Sequence, residues 1–154
     1  MKLVSACLCG INCKYNGGNN LNPYLLELWK KNQVIPVCPE ELGGLSTPRC
    51  PAEIIGGSGE DVLRGQARVI DANGNDLSRN FVQGALKTLE LAHSSGAHSA
   101  IFKSRSPSCG AGSIYDGSFK SCLRSGDGVC TALLKQNGIK VISDEDIIIV
   151  RSKG

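Results

Sequence analysis

Histidine is scarce in this 154-residue chain, with two copies, and no Cys-x-x-Cys pair occurs anywhere in it. The first scarcity leaves a cysteine-histidine hydrolase few candidates for its base. The second removes the paired knuckles of a structural zinc site, and the ferredoxin spacings are missing as well. Aromatic residues are sparse, at three Tyr, three Phe and one Trp, and Lys30-Lys31 is the only basic doublet in a chain of net charge +3. A dedicated nucleic-acid binder would carry a basic stripe with interleaved aromatics, so none is expected here. No apolar run is long enough for a membrane span, and Met1 to Cys7 lacks a secretory signal's apolar core, which predicts a cytoplasmic protein.

What the chain has in excess is cysteine, eight in all. A chain this long is expected to be one domain, residues 1–154, with a core that needs no staples. In a reducing compartment, cysteines in loops hold metal or do chemistry; a disulfide framework is the bland alternative. Three of them follow short apolar runs. Cys7 ends Lys2 to Ala6, Cys38 ends Val34 to Val37, and Cys109 lies in the turn after His98 to Lys103. If those runs are parallel strands, the thiols meet at the carboxyl edge of the sheet, where open α/β sheets bind ligands.

The segments between them support such a sheet. Asn22 and Pro23 open a helix whose stripe is Leu25, Leu26, Leu28 and Trp29, giving a strand-helix-strand unit with Val34 to Val37. Pro36 argues that this second strand is an edge. A long loop from Cys38 to Gly59 follows, in which Pro51 to Ile55 is expected to form one helical turn. Val62 to Asp71 with Asn73-Gly74 suggests a small hairpin or an edge excursion. Phe81, Val82, Ala85, Leu86, Leu89 and Ala92 mark the longest helix, ended by Gly96. Ser113 to Gly128 reads as turns, Val129 to Gln136 as a helix and Ile139 to Ile142 as a fourth parallel strand. Ile147 to Val150 fits a strand or a docked helix equally well. The pattern predicts a three-layer α/β fold with a mostly parallel, Rossmann-like sheet and long active-site loops.

Scattered cysteines at strand ends suit an iron-sulfur cluster, which is wide enough to be gripped from several elements. Each also has a plainer reading: Cys7 as a small buried hydrophobe, Ser106 and Ser108 as ordinary turn residues. The segments SACLCGINCKYNGG, VCPEELGGLSTPRCPAE and KSRSPSCG, with Gly126-Asp127-Gly128-Val129 and the ending Asn137 to Ser143, resemble the thiouracil desulfidase family over nearly the whole chain. The resemblance implies an α/β protein that binds a 4Fe-4S cluster through three cysteines, leaving one iron open to take sulfur from a thiolated pyrimidine without net redox change. It places the family's cysteines on Cys7, Cys13, Cys38 and Cys109, four candidates for three places. Strand-end positions favour Cys7, Cys38 and Cys109 as cluster and metal ligands, with Cys13 lining the pocket or exchanging roles with Cys7. Cys9 stands where the family usually has an aliphatic residue, and Cys50, Cys122 and Cys130 match no family cysteine.

The expected activity is conversion of thiouracil to uracil plus sulfide, with a small thiolated pyrimidine as partner. Glu40 is the first candidate for the base, Glu53 the second, and Ser106 and Ser108 would hold the ring's polar edges. The reading from another class is a non-catalytic iron-sulfur or zinc binding module in sulfur or metal handling.

Overall fold

Alternating apolar runs and turn residues resolve into fifteen elements in the computed structural model, which describes residues 1–147. β1 (Lys2–Ser5) runs into a single 3-10 turn, Ala6–Cys9; α1 (Pro23–Lys30), β2 (Val34–Val37), α2 (Pro39–Leu42), β3 (Ala52–Ile55), α3 (Gly59–Leu63) and β4 (Arg68–Asp71) follow. Then come α4 (Ser78–Ser95), β5 (Ser99–Phe102), β6 (Ser113–Tyr115), β7 (Leu123–Ser125), α5 (Val129–Gln136), β8 (Lys140–Ser143) and a closing 3-10 turn, Asp144–Asp146. The choice between strand and helix for Ile147 to Val150 lies outside the described residues beyond Ile147.

β1, β2, β5 and β8 pair in parallel in the order β2-β1-β5-β8, the Rossmann-like α/β arrangement expected from the sequence. β2 is an edge, where Pro36 lies opposite Val4. A proline is tolerated there because its missing N–H breaks no ladder on both sides. Side chains alternate between two cores. Leu3, Ala100, Phe102 and Val141 face α4 and α5, packing with Phe81, Ala85 and Leu134, whereas Val4 and Ile101 face α1 through Leu25. Asn22 caps α1 by accepting from the backbone N–H groups of Tyr24 and Leu25. The expected stripe of α1 is narrower than its spacing suggests: Leu25 is buried, but Trp29 is 38% exposed.

Two small ribbons lie outside the main sheet. β3 pairs antiparallel with β4, so Ala52–Ile55 is a strand and not the expected helical turn. β6 pairs antiparallel with β7, and Arg105 bridges Ile114, tying this second ribbon to the loop after β5. Among the described residues no helix is long and apolar enough to cross a membrane.

Candidate active site

The sheet itself selects the position of the site. From β1 the chain crosses to β2 on one side and, later, to β5 on the other, so the connections diverge at the carboxyl ends of β1 and β5. That divergence opens a crevice, the usual ligand position in a parallel α/β sheet. A cavity of about 580 Å³ lies there, lined among others by Cys7, Cys13, Cys38 and Cys109.

Each thiol is held by local structure. Cys7 sits in the 3-10 turn after β1, and its carbonyl accepts from the Gly10 and Asn20 N–H groups, folding the loop back so that Cys13 returns to the strand ends. Cys38 is the residue before α2, with its thiol 3.9 Å from the Cys13 carbonyl oxygen. Cys109 belongs to a turn organised by Ser106, whose Oγ accepts from the Ser108 and Cys109 N–H groups at 3.1 Å. The first N–H groups of α5, from Val129 and Cys130, donate to the carbonyls of Pro107 and Ser108. These would otherwise be orphan donors at a helix start, so α5 fastens the Cys109 turn while satisfying its own backbone.

Cys7, Cys13 and Cys38 interact as one group. Cys13, with a single S–H that can serve only one neighbour at a time, holds Cys7 down to about 7 from an ordinary 9.0 and lowers Cys38 as well, while Cys13 itself is raised. Burial pushes Cys109 well above its ordinary value, with the Ser108 hydroxyl 3.5 Å away pulling the other way. Thiolate is the form that ligates metal, and the direction of the shift favours it at Cys7 and Cys38 and opposes it at Cys13 and Cys109. Cys13, Cys38 and a Glu41 oxygen also lie within 4.8 Å of one another.

Beside the thiols runs a polar chain. Arg49 donates through Nε at 2.9 Å and through Nη2 to Glu40 Oε2, and through Nη2 to the Cys13 carbonyl at 2.9 Å. Burial works against the Arg49 charge, but Glu40 outweighs it and raises the Arg49 pKa. The other Glu40 oxygen, Oε1, is 3.4 Å from Ser108 Oγ, and Ser108 Oγ is 3.0 Å from Ser106 Oγ. Glu40, Ser108 and Ser106 thus form a continuous carboxylate-hydroxyl path along the cavity.

The cavity brings together every site residue expected from the sequence: Cys7, Cys13, Cys38, Cys109, Glu40, Ser106 and Ser108. Glu53, the second candidate base, also lines it, but Oε1 accepts from the backbone N–H groups of Gly117 and Phe119. Cys50 reaches the cavity wall as well, whereas Cys9 and Cys130 are buried elsewhere, raised by burial to about 11 and about 12, and Cys122 is exposed. Both histidines are exposed and outside the cavity. The organising role of Arg49 is invisible in the sequence, where it is one polar residue of a long loop; its place in TPRCPAE, between a turn and a strand, is the only signal.

Fold and site define a parallel α/β protein with a cysteine-lined cavity at the point where its sheet connections diverge. Comparison with known proteins narrows this: the chain belongs to the 2-thiouracil desulfurase family, whose model matches residues 3–146. It is 48% identical over 147 residues to the uncharacterized protein YbbK of Bacillus subtilis (strain 168), covering 96% of this chain and 97% of that one. It is also similar to the solved structure of the 4Fe-4S-dependent thiouracil desulfidase TudS, with a TM-score of 0.85 and 36% identity over 99% of this chain and 95% of that one.

Proposed function

We propose that this protein is a cytoplasmic, iron-sulfur-dependent desulfidase that converts a thiolated pyrimidine to its oxygen analogue, thiouracil to uracil plus sulfide, without net redox change. The observation that carries the reading is the meeting of four thiols with the Glu40-Ser108-Ser106 path in one cavity. The donor set fits a 4Fe-4S cluster: all are sulfur, none is in a disulfide, two are held toward thiolate, and no histidine competes. Cys7, Cys38 and Cys109 would hold it from three strand ends, with Cys13 lining the pocket or exchanging places with Cys7. When bound, the cluster supplies a Lewis-acidic iron without a protein thiolate, suited to a thiocarbonyl sulfur.

The remaining work falls to the chain. Water adds to the thiocarbonyl carbon, the C–S bond breaks, a C–O bond takes its place, and sulfur leaves as hydrosulfide. Glu40 Oε1 accepts the proton released by the water, and Arg49 on the opposite oxygen keeps the carboxylate plane fixed. Ser108 and Ser106 pass a proton between Glu40 and the ring and hold its polar edges. Residues 1–154 act as one domain in this scheme.

The approach of Cys13, Cys38 and Glu41 to one point favours a second reading, a non-catalytic iron-sulfur or zinc binding module. Anaerobic reconstitution followed by thiouracil absorbance separates the two. Loss of thiouracil with formation of uracil and sulfide is expected; a retained cluster with no substrate loss would establish the module instead.

A further inference from the structure

The β6–β7 ribbon is unaccounted for by the thiols and the proton path, yet Tyr115, Phe119 and Ser121 all line the cavity. Its tip has little burial to hold it: Phe119 is 39% exposed, and all of β7 is exposed. Its backbone is unusual, because Phe119 and Ser121 both adopt left-handed conformations, at φ 57° and 59°. Such conformations cost energy in non-glycine residues and persist only where something over-determines them. At Phe119 that something is Glu53, whose Oε1 accepts from the Gly117 N–H at 3.0 Å and the Phe119 N–H at 3.2 Å. Gly117 itself has φ 92° and lies so near β3 that a Cβ would come within 2.6 Å of the Ile54 carbonyl oxygen. A half-buried carboxylate on one ribbon therefore clamps the tip of another, and the clamped residue is an aromatic ring at the cavity.

We propose that Phe119, with Tyr115, is the ring-binding wall of the cavity, selecting a planar heteroaromatic single ring by stacking, and that Glu53 is the positioning residue that holds this wall in place. Aromatic faces recognise a pyrimidine-type ring through its π surface irrespective of its ring substituents, so the wall governs ring binding while the thiols and Glu40 govern the sulfur. The inference deepens the desulfidase reading and rests on it for the identity of the substrate, but not for the existence of the wall.

With reconstituted protein and 2-thiouracil, Phe119→Ala is expected to raise KM ~10-fold or more, the scale of losing one base-aromatic stack, with kcat held within about twofold. Phe119→Tyr should restore KM. Glu53→Gln should raise KM in the same sense and speed deuterium exchange of the amides of residues 117 and 119, a change that a role as catalytic base would not produce. An unchanged KM in Phe119→Ala, or a fall in kcat alone, overturns the wall. If the loaded wild type fails to turn over 2-thiouracil, the desulfidase reading falls separately. The wall is then decided by uracil titration of Phe119→Trp: saturable change in its added tryptophan emission supports the wall, and no change overturns it.

Discussion

An Arg49 guanidinium forked onto one oxygen of Glu40 leaves the other free to act, and this division of one carboxylate sets the first expectation. Glu40→Gln preserves size and the Ser108 contact but removes the basic oxygen, so turnover should fall on the order of 10²-fold or more. Iron content should stay at the wild-type level; its loss would make Glu40 structural or a ligand, and full activity would move the base elsewhere. A complementary expectation concerns the thiols that the cavity's cluster of four excludes. Serine at Cys50, Cys122 or Cys130 should leave iron content unchanged, measured after anaerobic reconstitution. Cys130 lies at 0% exposure, so its serine variant should also lose about 1–3 kcal/mol through a poorly satisfied buried hydroxyl. At this scale the sequence is informative where a residue follows an apolar run, directly for Cys7 and Cys38 and within the next turn for Cys109. It is silent on Arg49 and on the task of Glu53, because both contacts join segments distant in sequence that meet only when the tertiary fold closes.

Elements long enough to show a period are legible, and so are the four-residue strands of the main sheet, marked by their apolar runs; the short pieces of the long loops, β3 and α2 among them, are not. α4 shows its period through Phe81, Ala85 and Ala92 and ends at Gly96, whereas Pro51 to Ile55 reads locally as a helical turn because the partner of β3, β4, lies across an intervening helix and nothing local specifies that pairing. α2 is a single turn inside a segment whose composition is that of a loop, although Pro39 at its first position is a normal helix start. Yet α2 carries Glu40, and its placement depends on a close approach to α4. A Cβ on Gly84 would come within 1.9 Å of the Pro39 carbonyl oxygen, and one on Gly43 within 2.0 Å of the Asn80 carbonyl oxygen. In an exposed helix interior, glycine to alanine stabilises by about 1 kcal/mol. Here the sign should reverse: Gly84→Ala must drive α2 outward, costing about 1–3 kcal/mol by overpacking and lowering turnover because Glu40 moves with it. Denaturant midpoints and thiouracil turnover measured on the same preparation check both. A stabilised, fully active Gly84→Ala would mean that α2 can shift without moving the base. Asn22→Ala, at the start of α1 on the opposite face of the sheet, should cost about 1 kcal/mol and leave activity intact, which separates general destabilisation from displacement of Glu40.

The whole molecule joins a rigid parallel sheet to two ribbons and several turns that are fastened by aspartates, and its response to acid follows from them. Asp71 accepts from the backbone N–H groups of Asn75 and Asn73 and from the Asn75 side chain, which lowers its pKa below the ordinary 3.8. Asp61 is lowered by the Ser58 N–H and hydroxyl at the start of α3, Asp76 by Ser78 at the start of α4, and Asp116 by Ser118 at the β6–β7 tip. For each, the folded state binds its proton less readily than the unfolded state. The stability they confer is therefore complete above the unfolded value of about 4 and is lost as pH falls through the lower folded values. Urea midpoints should accordingly be flat with respect to these groups from about pH 5 upward and decline below about pH 4. Asp71→Asn should lower the midpoint at pH 6, where the charged acceptor is lost, and the gap to wild type should narrow at pH 3, where the native carboxyl is itself becoming protonated. A gap that stays constant between pH 6 and pH 3 would show that Asp71 acts through shape alone, and a gap that widens on acidification would require its folded-state pKa to lie above the unfolded one, opposite to what its hydrogen bonds dictate.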